Sequence, residues 1–316
     1  MARSGTNEDL VERLVSGDRR ALARVISRLE REEPGVREIV AGLYPHTGTA
    51  VTVGFTGPPG VGKSSVIGRL IELHRAENRR VGVVSVDPSS PFSRGAILGD
   101  RIRLSEHFLD PGVFVRSMGS RGHLGGLAAH SRLAGMAMEA AGFDIILFET
   151  VGVGQGEVEV AGTAETIVLC LQPGTGDAVQ ALKAGVMEIA DVYAINKADH
   201  PRANAAAAEV RSMLEIGQEL EPSPWSPPIV MTRADNGEGI EELKRATEDH
   251  RAYLRESGEG ERRRQASLRE LVVALARGRL EREVQHRLDR GEGELLARVY
   301  DGELDPVSAA EKLLES

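Results

Sequence analysis

The chain carries one cysteine, one tryptophan, six phenylalanines and four tyrosines in 316 residues, an aromatic share of only 3%. Cys170 alone cannot form an intramolecular disulfide or seed a cysteine-rich metal site, so a reducing compartment, the cytoplasm, is expected. So few aromatics leave little from which to build a base-stacking surface for RNA or single-stranded DNA. No apolar run approaches the roughly 18 residues that a bilayer span requires. The start, Met1 to Asp9, has no apolar core of a signal peptide, so neither membrane insertion nor export is expected. Basic residues are outnumbered, with 39 Lys and Arg against 48 Asp and Glu. The resulting charge of −9 argues against a nucleic-acid backbone as the main partner. None of the eight histidines stands in an H-x-H pattern, there is no C-x-x-C, and Cys170 lies in an apolar run. These absences disfavour a transition-metal chaperone.

What is present is ordinary globular material: 41% hydrophobic residues and 36 glycines. A chain of this length buries roughly 75% of its unfolded surface and suits one large α/β domain with additions, or two domains. Three regions are legible. Residues 1–48 are charged and helical in pattern, with Asp18 placed to cap a helix whose apolar positions are Leu22, Val25, Ile26 and Leu29. Residues 49–254 alternate short apolar strands with helices. The strands are expected at Val51–Phe55, Val81–Val86, Ile145–Phe148, Thr166–Leu171, Val192–Ile195 and Ile229–Thr232, and two of the helices at Lys63–Ala76 and Ala203–Leu220. This alternation predicts an α/β fold, a mostly parallel sheet flanked by helices on both faces, with ligands at the carboxyl ends of the strands. Residues 255–316 show no strand pattern. Leu268, Leu271, Val272, Leu275, Leu280, Val284 and Leu288 predict one or two amphipathic helices with a kink near Gly278, and Asp305-Pro306 a further helix start. This third region either packs as an appendage on its own subunit or meets a second one.

The segment Gly57-Pro58-Pro59-Gly60-Val61-Gly62-Lys63-Ser64 fits G-x-x-x-x-G-K-[ST] in full, between a predicted strand and a predicted helix that continues through Ser65. Glycines let backbone N–H groups turn inward as an anion nest, and the helix start adds donors. Lys63 is placed to reach the β- and γ-phosphates, and Ser64 to ligate Mg²⁺. The base is addressed elsewhere. Asn196-Lys197-Ala198-Asp199 follows the strand Val192–Ile195, and N-K-x-D there reads guanine. Asp199 can accept from guanine N1–H and the 2-amino group, donors that adenine lacks. Asn196 is expected to address the other edge and brace the phosphate loop, and the Lys197 stem to cover a base face. A second base loop is expected near Thr232-Arg233-Ala234-Asp235.

Two carboxylates end apolar strands, Asp87 and Glu149. A carboxylate beside core strands is costly unless paired, and a bound Mg²⁺ offsets that cost. The Glu149…Gly152 spacing matches the D-x-x-G switch of GTPases, with Gly152 N–H positioned to sense the γ-phosphate. Asp100 is a further candidate for the metal shell. Gln155, Asp100 and Glu157 are candidates near the attacking water, and Arg94, Arg101, Arg103 and Arg121 for neutralising transition-state charge, with no basis for choosing one. His123 is a candidate phosphate or partner contact, equally readable as structural.

The stretches Val86-Asp87-Pro88-Ser89-Ser90-Pro91-Phe92-Ser93-Arg94-Gly95-Ala96-Ile97-Leu98-Gly99-Asp100-Arg101, Arg121-Gly122-His123-Leu124-Gly125-Gly126-Leu127 and Glu149-Thr150-Val151-Gly152-Val153-Gly154-Gln155, with the phosphate loop and Asn196–Asp199, resemble the methylmalonyl-CoA mutase-associated GTPases, the MeaB/ArgK family. The resemblance implies a Mg²⁺-dependent P-loop GTPase, binding GTP and GDP and no tightly held organic cofactor. Such an enzyme would act as chaperone of an adenosylcobalamin-dependent acyl-CoA mutase, gating cofactor loading and protecting the mutase. It implies that Lys63, Asp100, Glu149 and Gln155 act in hydrolysis, that Ser64, Asp87, Asp100 and Glu149 form the metal shell, and that Asn196 and Asp199 read guanine. It also implies a homodimer through C-terminal helices, so the expected domains are residues 1–48, a helical extension; 49–254, the GTPase; and 255–316, a dimerisation arm. Gly156 departs from the serine common in the family after Gln155. The family's older label, an arginine/ornithine transport kinase, has no support in this chain. A P-loop small-molecule kinase, a non-catalytic guanine-nucleotide scaffold and a metallochaperone GTPase remain the alternatives.

Overall fold

Among the described residues, seven short strands line up in one sheet: β1 Val51–Thr56, β2 Val81–Asp87, β3 Val113–Gly119, β4 Ile145–Thr150, β5 Thr166–Leu171, β6 Val192–Ile195 and β7 Ile229–Met231. Their order is β3-β2-β4-β1-β5-β6-β7, and every neighbouring pair is parallel. The computed structural model describes residues 6–87, 104–119, 126–150, 162–174, 187–220, 222–290 and 293–315. Helices cover both faces, so the central strands need no polar alternation: every residue of β4 and β5 is buried.

Six strands lie where the apolar runs place them, β7 one residue shorter than expected. The seventh, β3, was not foreseen. Its run Val113-Phe114-Val115 is interrupted by Arg116 and Ser117, which breaks the apolar signature of a buried strand. At the edge of a sheet such an interruption is tolerated. Arg116 reaches out to the helix Arg19–Arg31, donating to Ser27 Oγ at 3.1 Å and pairing with Glu30.

Alternate strand residues feed opposite cores. On one face, Val84, Val86, Ile146 and Phe148 pack against α1 (Asn7–Val15), α2 (Arg19–Arg31), α3 (Val36–Leu43) and, further along the chain, the helix Gly126–Ala140. On the other, Val81, Val83, Ile145 and Leu147 pack with Val66, Ile67 and Ile71 of α4 (Lys63–Ala76). The helix Gly126–Ala140 is α5. A third cluster joins Leu169, Tyr193 and Ile195 to Val210 of α6 (Ala203–Leu220). α4 and α6 have the expected spans. The helices between residues 7 and 43 are therefore a covering layer of the sheet. Asp18 caps α2, accepting from the amides of Arg20 at 2.8 Å and Ala21 at 3.2 Å.

The chain divides into two compact units, Met1–Ser267 and Leu268–Ser316. The first ends beyond α7 (Ile240–Glu256), within α8 (Glu259–Arg290). α8 continues through Gly278, so the one or two helices expected over this stretch are one. A helical glycine costs about 1 kcal/mol relative to alanine but removes no hydrogen bond, so it does not interrupt a long helix. The second unit adds α9 (Gly293–Tyr300) and α10 (Pro306–Glu315). Asp305 caps α10, accepting from the amides of Val307 and Ser308, both at 3.0 Å. Among the described residues no helix is long and apolar enough to cross a membrane.

His74, buried on α4, gives the fold a pH dependence. Burial, then the charges of Lys244 and Arg79, push its pKa from 6.5 down to about 4. Between those values the unfolded chain binds a proton that the folded chain refuses. The stability at stake is present above about pH 6.5 and lost as pH falls toward 4, about 3 kcal/mol in all. His74→Met, apolar and untitratable, is expected to reduce the fall in melting temperature between pH 7 and pH 4.5. An unchanged fall would remove His74 from the account.

Candidate functional site

The carboxyl ends of β1, β4, β5 and β6 converge on the loop between β1 and α4. Three of its glycines have left-handed backbones: Gly57 (φ 141°), Gly60 (φ 82°) and Gly62 (φ 94°). A Cβ on Gly57 would lie 2.1 Å from the carbonyl oxygen of Cys170, and one on Gly62 would lie 2.4 Å from Asn196 Nδ2. Glycine is required at both by conformation and by close approach. Lys63 is buried and bends back over the loop, donating from Nζ to Gly57 O at 2.6 Å and to Pro58 O at 3.0 Å. Pro58 and Val61 are buried, Pro59 and Gly60 are exposed, and Ser65 faces solvent on the first turn of α4. Cys170, wholly buried in β5, has its thiol pushed up to about 12 by burial, which keeps it protonated.

Ser64 and Glu149 meet at the first turn of α4. The Ser64 hydroxyl donates to one carboxylate oxygen of Glu149, and Ser85 donates to the other at 3.4 Å. Ser64 and Glu149 are each 6% exposed. Parallel pairing sets Ser85 of β2 directly beside Glu149 of β4, which explains the contact. Ser85 was missed by sequence reasoning; its only signal was one hydroxyl in the apolar run Val83-Val84-Ser85-Val86. Two hydroxyls around one buried carboxylate form an all-oxygen donor set, which suits a hard divalent cation. Asp87 closes β2, paired in register with Gly119 of β3. Asp100, Gly152, Gln155, Gly156 and Glu157, with Arg94, Arg101, Arg103, Arg121 and His123, lie outside the described residues.

Asn196, nearly buried, ties two loops together. Its Nδ2 donates to Val61 O at 2.7 Å in the phosphate loop. Its Oδ1 accepts from Ala234 N at 3.2 Å and from the Thr232 hydroxyl at 3.4 Å. Ala198 N donates to Thr232 O at 3.0 Å, stitching the loops after β6 and β7 side by side. Lys197 adopts φ 59°, rare for a residue with a side chain, and its Nζ donates to Gly60 O at 3.2 Å and to Gln172. Gln172 was another residue that sequence reasoning did not find. Asp199 presents a carboxylate 58% exposed, with Arg233 Nε 3.7 Å from Oδ1. A hydrogen bond between Arg233 and Asp235 raises the arginine pKa and lowers that of the aspartate, keeping both charged. The structure thus gathers the phosphate loop, Glu149, Asn196–Asp199 and residues 232–235 on one rim of the sheet.

The family model of the methylmalonyl Co-A mutase-associated GTPase MeaB matches residues 19–289. The chain belongs to this family. A Pyrococcus abyssi protein that carries a GTPase name is 45% identical over 310 residues, covering 98% of this chain and 96% of its own. The mouse protein named methylmalonic aciduria type A homolog, mitochondrial, is 34% identical over 322 residues, covering 96% of this chain and 77% of its own. Among solved structures, the crystal structure of a LAO/AO transport system kinase matches with a TM-score of 0.68 at 28% identity, covering 100% of this chain and 98% of that one. The MeaB-family chain is therefore a GTPase with a P-loop fold. Guanine nucleotide is its ligand, and the rim described above is where the MeaB-family GTPase presents its phosphate-loop residues.

Proposed function

We propose that this GTPase serves as a nucleotide-gated chaperone of an adenosylcobalamin-dependent acyl-CoA mutase, methylmalonyl-CoA mutase first, controlling cofactor loading and protecting the mutase from inactivation. The observation that carries the reading is the match to a family named for association with that mutase, extending over residues 19–289. The name of the mouse relative, which refers to methylmalonic acid, points the same way.

In the proposed site, Lys63 holds the β- and γ-phosphates, and the backbone amides of residues 57–65 surround them. Ser64 and Glu149 would hold Mg²⁺ within their oxygen donor set, with Asp87 and Asp100 completing the shell. When bound, the ion supplies charge neutralisation on the phosphate oxygens. Asp199 selects guanine and Asn196 keeps the base loop and phosphate loop in fixed relation. Gly152 and the residues after it form the switch, and Gln155, Asp100 and Glu157 are the candidates to align the water. Residues 255–316 form a dimerisation arm; the exposed apolar side chains Val272, Leu280, Tyr300 and Val307 in the second unit support that part of the reading.

The test is GTP hydrolysis with Mg²⁺, alone and with the host's purified mutase, with ATP as control. Slow GTP turnover that rises when the mutase is added, with no response from ATP, is the expected result. GTP turnover indifferent to the mutase would overturn the partner and leave the GTPase standing.

A further inference from the structure

Arg69 lies on α4, the helix that begins at Lys63 and Ser64, yet its guanidinium is directed at the other end of the nucleotide site. Its Nε donates to Ala234 O at 3.0 Å and one terminal nitrogen to Asp235 O at 2.9 Å. The other terminal nitrogen lies 3.0 Å from Glu72 Oε2, one turn on, which fixes the plane of the group. Two parallel donations from a planar fork to consecutive carbonyls hold a turn in both position and orientation, which a lysine ammonium cannot do.

The turn so held is bound on its other side as well. Ala234 donates its N–H to Asn196 Oδ1 at 3.2 Å, so this one peptide is gripped from the N-K-x-D loop and from the phosphate-binding helix. Next to it stands Arg233, whose amide donates to Glu238 O at 2.8 Å and whose side chain lies 3.7 Å from Asp199 Oδ1 and 3.2 Å from Asp235 Oδ2. Asp199 is the carboxylate that must meet two guanine donors at hydrogen-bond distance. It is more than half exposed, and the charged group beside it is Arg233. The orientation of Asp199 thus depends on where residues 233–235 sit, and Arg69 is what ties those residues to α4.

We infer that Arg69 is a positioning residue for guanine selection: by clamping the carbonyls of Ala234 and Asp235 it sets Arg233, and through Arg233 the guanine-reading carboxylate of Asp199. This rests on the assignment of Asp199 to guanine. It adds that discrimination among bases is set from the phosphate-binding helix as well as from the base loop.

The experiment compares KM and kcat for GTP, ITP and ATP in the full chain and in Arg69→Ala, Arg69→Lys and Asp199→Asn, with melting temperatures of all four proteins. ITP lacks the 2-amino group, so the GTP-over-ITP ratio reads that donor alone. Arg69→Ala is expected to raise KM for GTP about tenfold, with ITP, which keeps N1–H, raised less, ATP least, and kcat nearly unchanged. Arg69→Lys, which can satisfy one carbonyl, should recover part of the ratio. A uniform rise of KM for all three nucleotides, or none, while Asp199→Asn abolishes the GTP-over-ITP ratio, would overturn the role of Arg69. An Asp199→Asn variant that keeps the ratio would overturn the base assignment on which it rests. Arg69→Lys preserves charge and bulk, so it keeps the comparison available if the alanine variant folds poorly.

Discussion

Lys63→Ala is expected to reduce GTP hydrolysis about a thousandfold while leaving the fold in place. The side chain is buried, and its ammonium is pinned by the carbonyls of Gly57 and Pro58 at the mouth of the loop. Phosphoryl transfer leaves the protein little covalent chemistry to perform. Its contribution is placement and the balancing of charge on the oxygens of the transferring group. A cation already held beside the loop needs no reorganisation when that charge develops, so its removal is felt more in the transition state than in the bound substrate. The bonds to Gly57 and Pro58 go to loop carbonyls, and Val66, Ile67 and Ile71 supply the packing of α4 against the sheet, so that packing survives the truncation. Single-turnover hydrolysis, with GTP and GDP binding measured separately, checks this. GTP affinity should fall more than GDP affinity, because only GTP carries the γ-phosphate that the ammonium reaches. Hydrolysis within about tenfold of the parent would sink the assignment.

The parts of this site that were legible in the sequence are those in which the backbone itself is the device. Gly57 and Gly62 are fixed by collisions that any Cβ would make, with Cys170 O and Asn196 Nδ2, and that requirement appears as a local pattern. β4 and β5 were legible because both faces are covered, which leaves an unbroken apolar run. β3 was hidden because an edge strand can afford Arg116, whose partners Ser27 and Glu30 lie far away in sequence. The sequence left α8 open between one helix and two, since Gly278 is a local signal that the rest of the helix outweighs. Ser85, Gln172 and Arg69 were illegible on the same principle as β3. Ser85 acquires its neighbour Glu149 through strand register, and Arg69 reaches Ala234 and Asp235 across the molecule. No spacing along the chain encodes a contact made by folding.

Asp199→Asn is expected to remove the preference for guanine and to favour xanthine in its place. Guanine offers Asp199 two donors, N1–H and the 2-amino group, and a carboxylate can accept from both. Asparagine keeps one acceptor and gains a donor. Facing guanine, that donor meets the 2-amino group, and one hydrogen bond is replaced by a clash of two donors. Xanthine has a carbonyl at that position and keeps N1–H, so it pairs with the amide on both counts. Hydrogen bonds to a charged group are worth about 1.5–3 kcal/mol each, which places the loss for GTP at about a hundredfold or more in kcat/KM. The fold should not register the change. Asp199 is more than half exposed, and Arg233, 3.7 Å away, remains bonded to Asp235. Asn196, which carries the bonds to Val61 and Ala234, is untouched. The measurement is kcat/KM for GTP, XTP and ATP in the parent and the variant. An unchanged preference for GTP over ATP would mean that the base is read elsewhere. A fall with GTP alone, without the gain for XTP, would mean that Asp199 shapes the base loop and does not itself pair with the base.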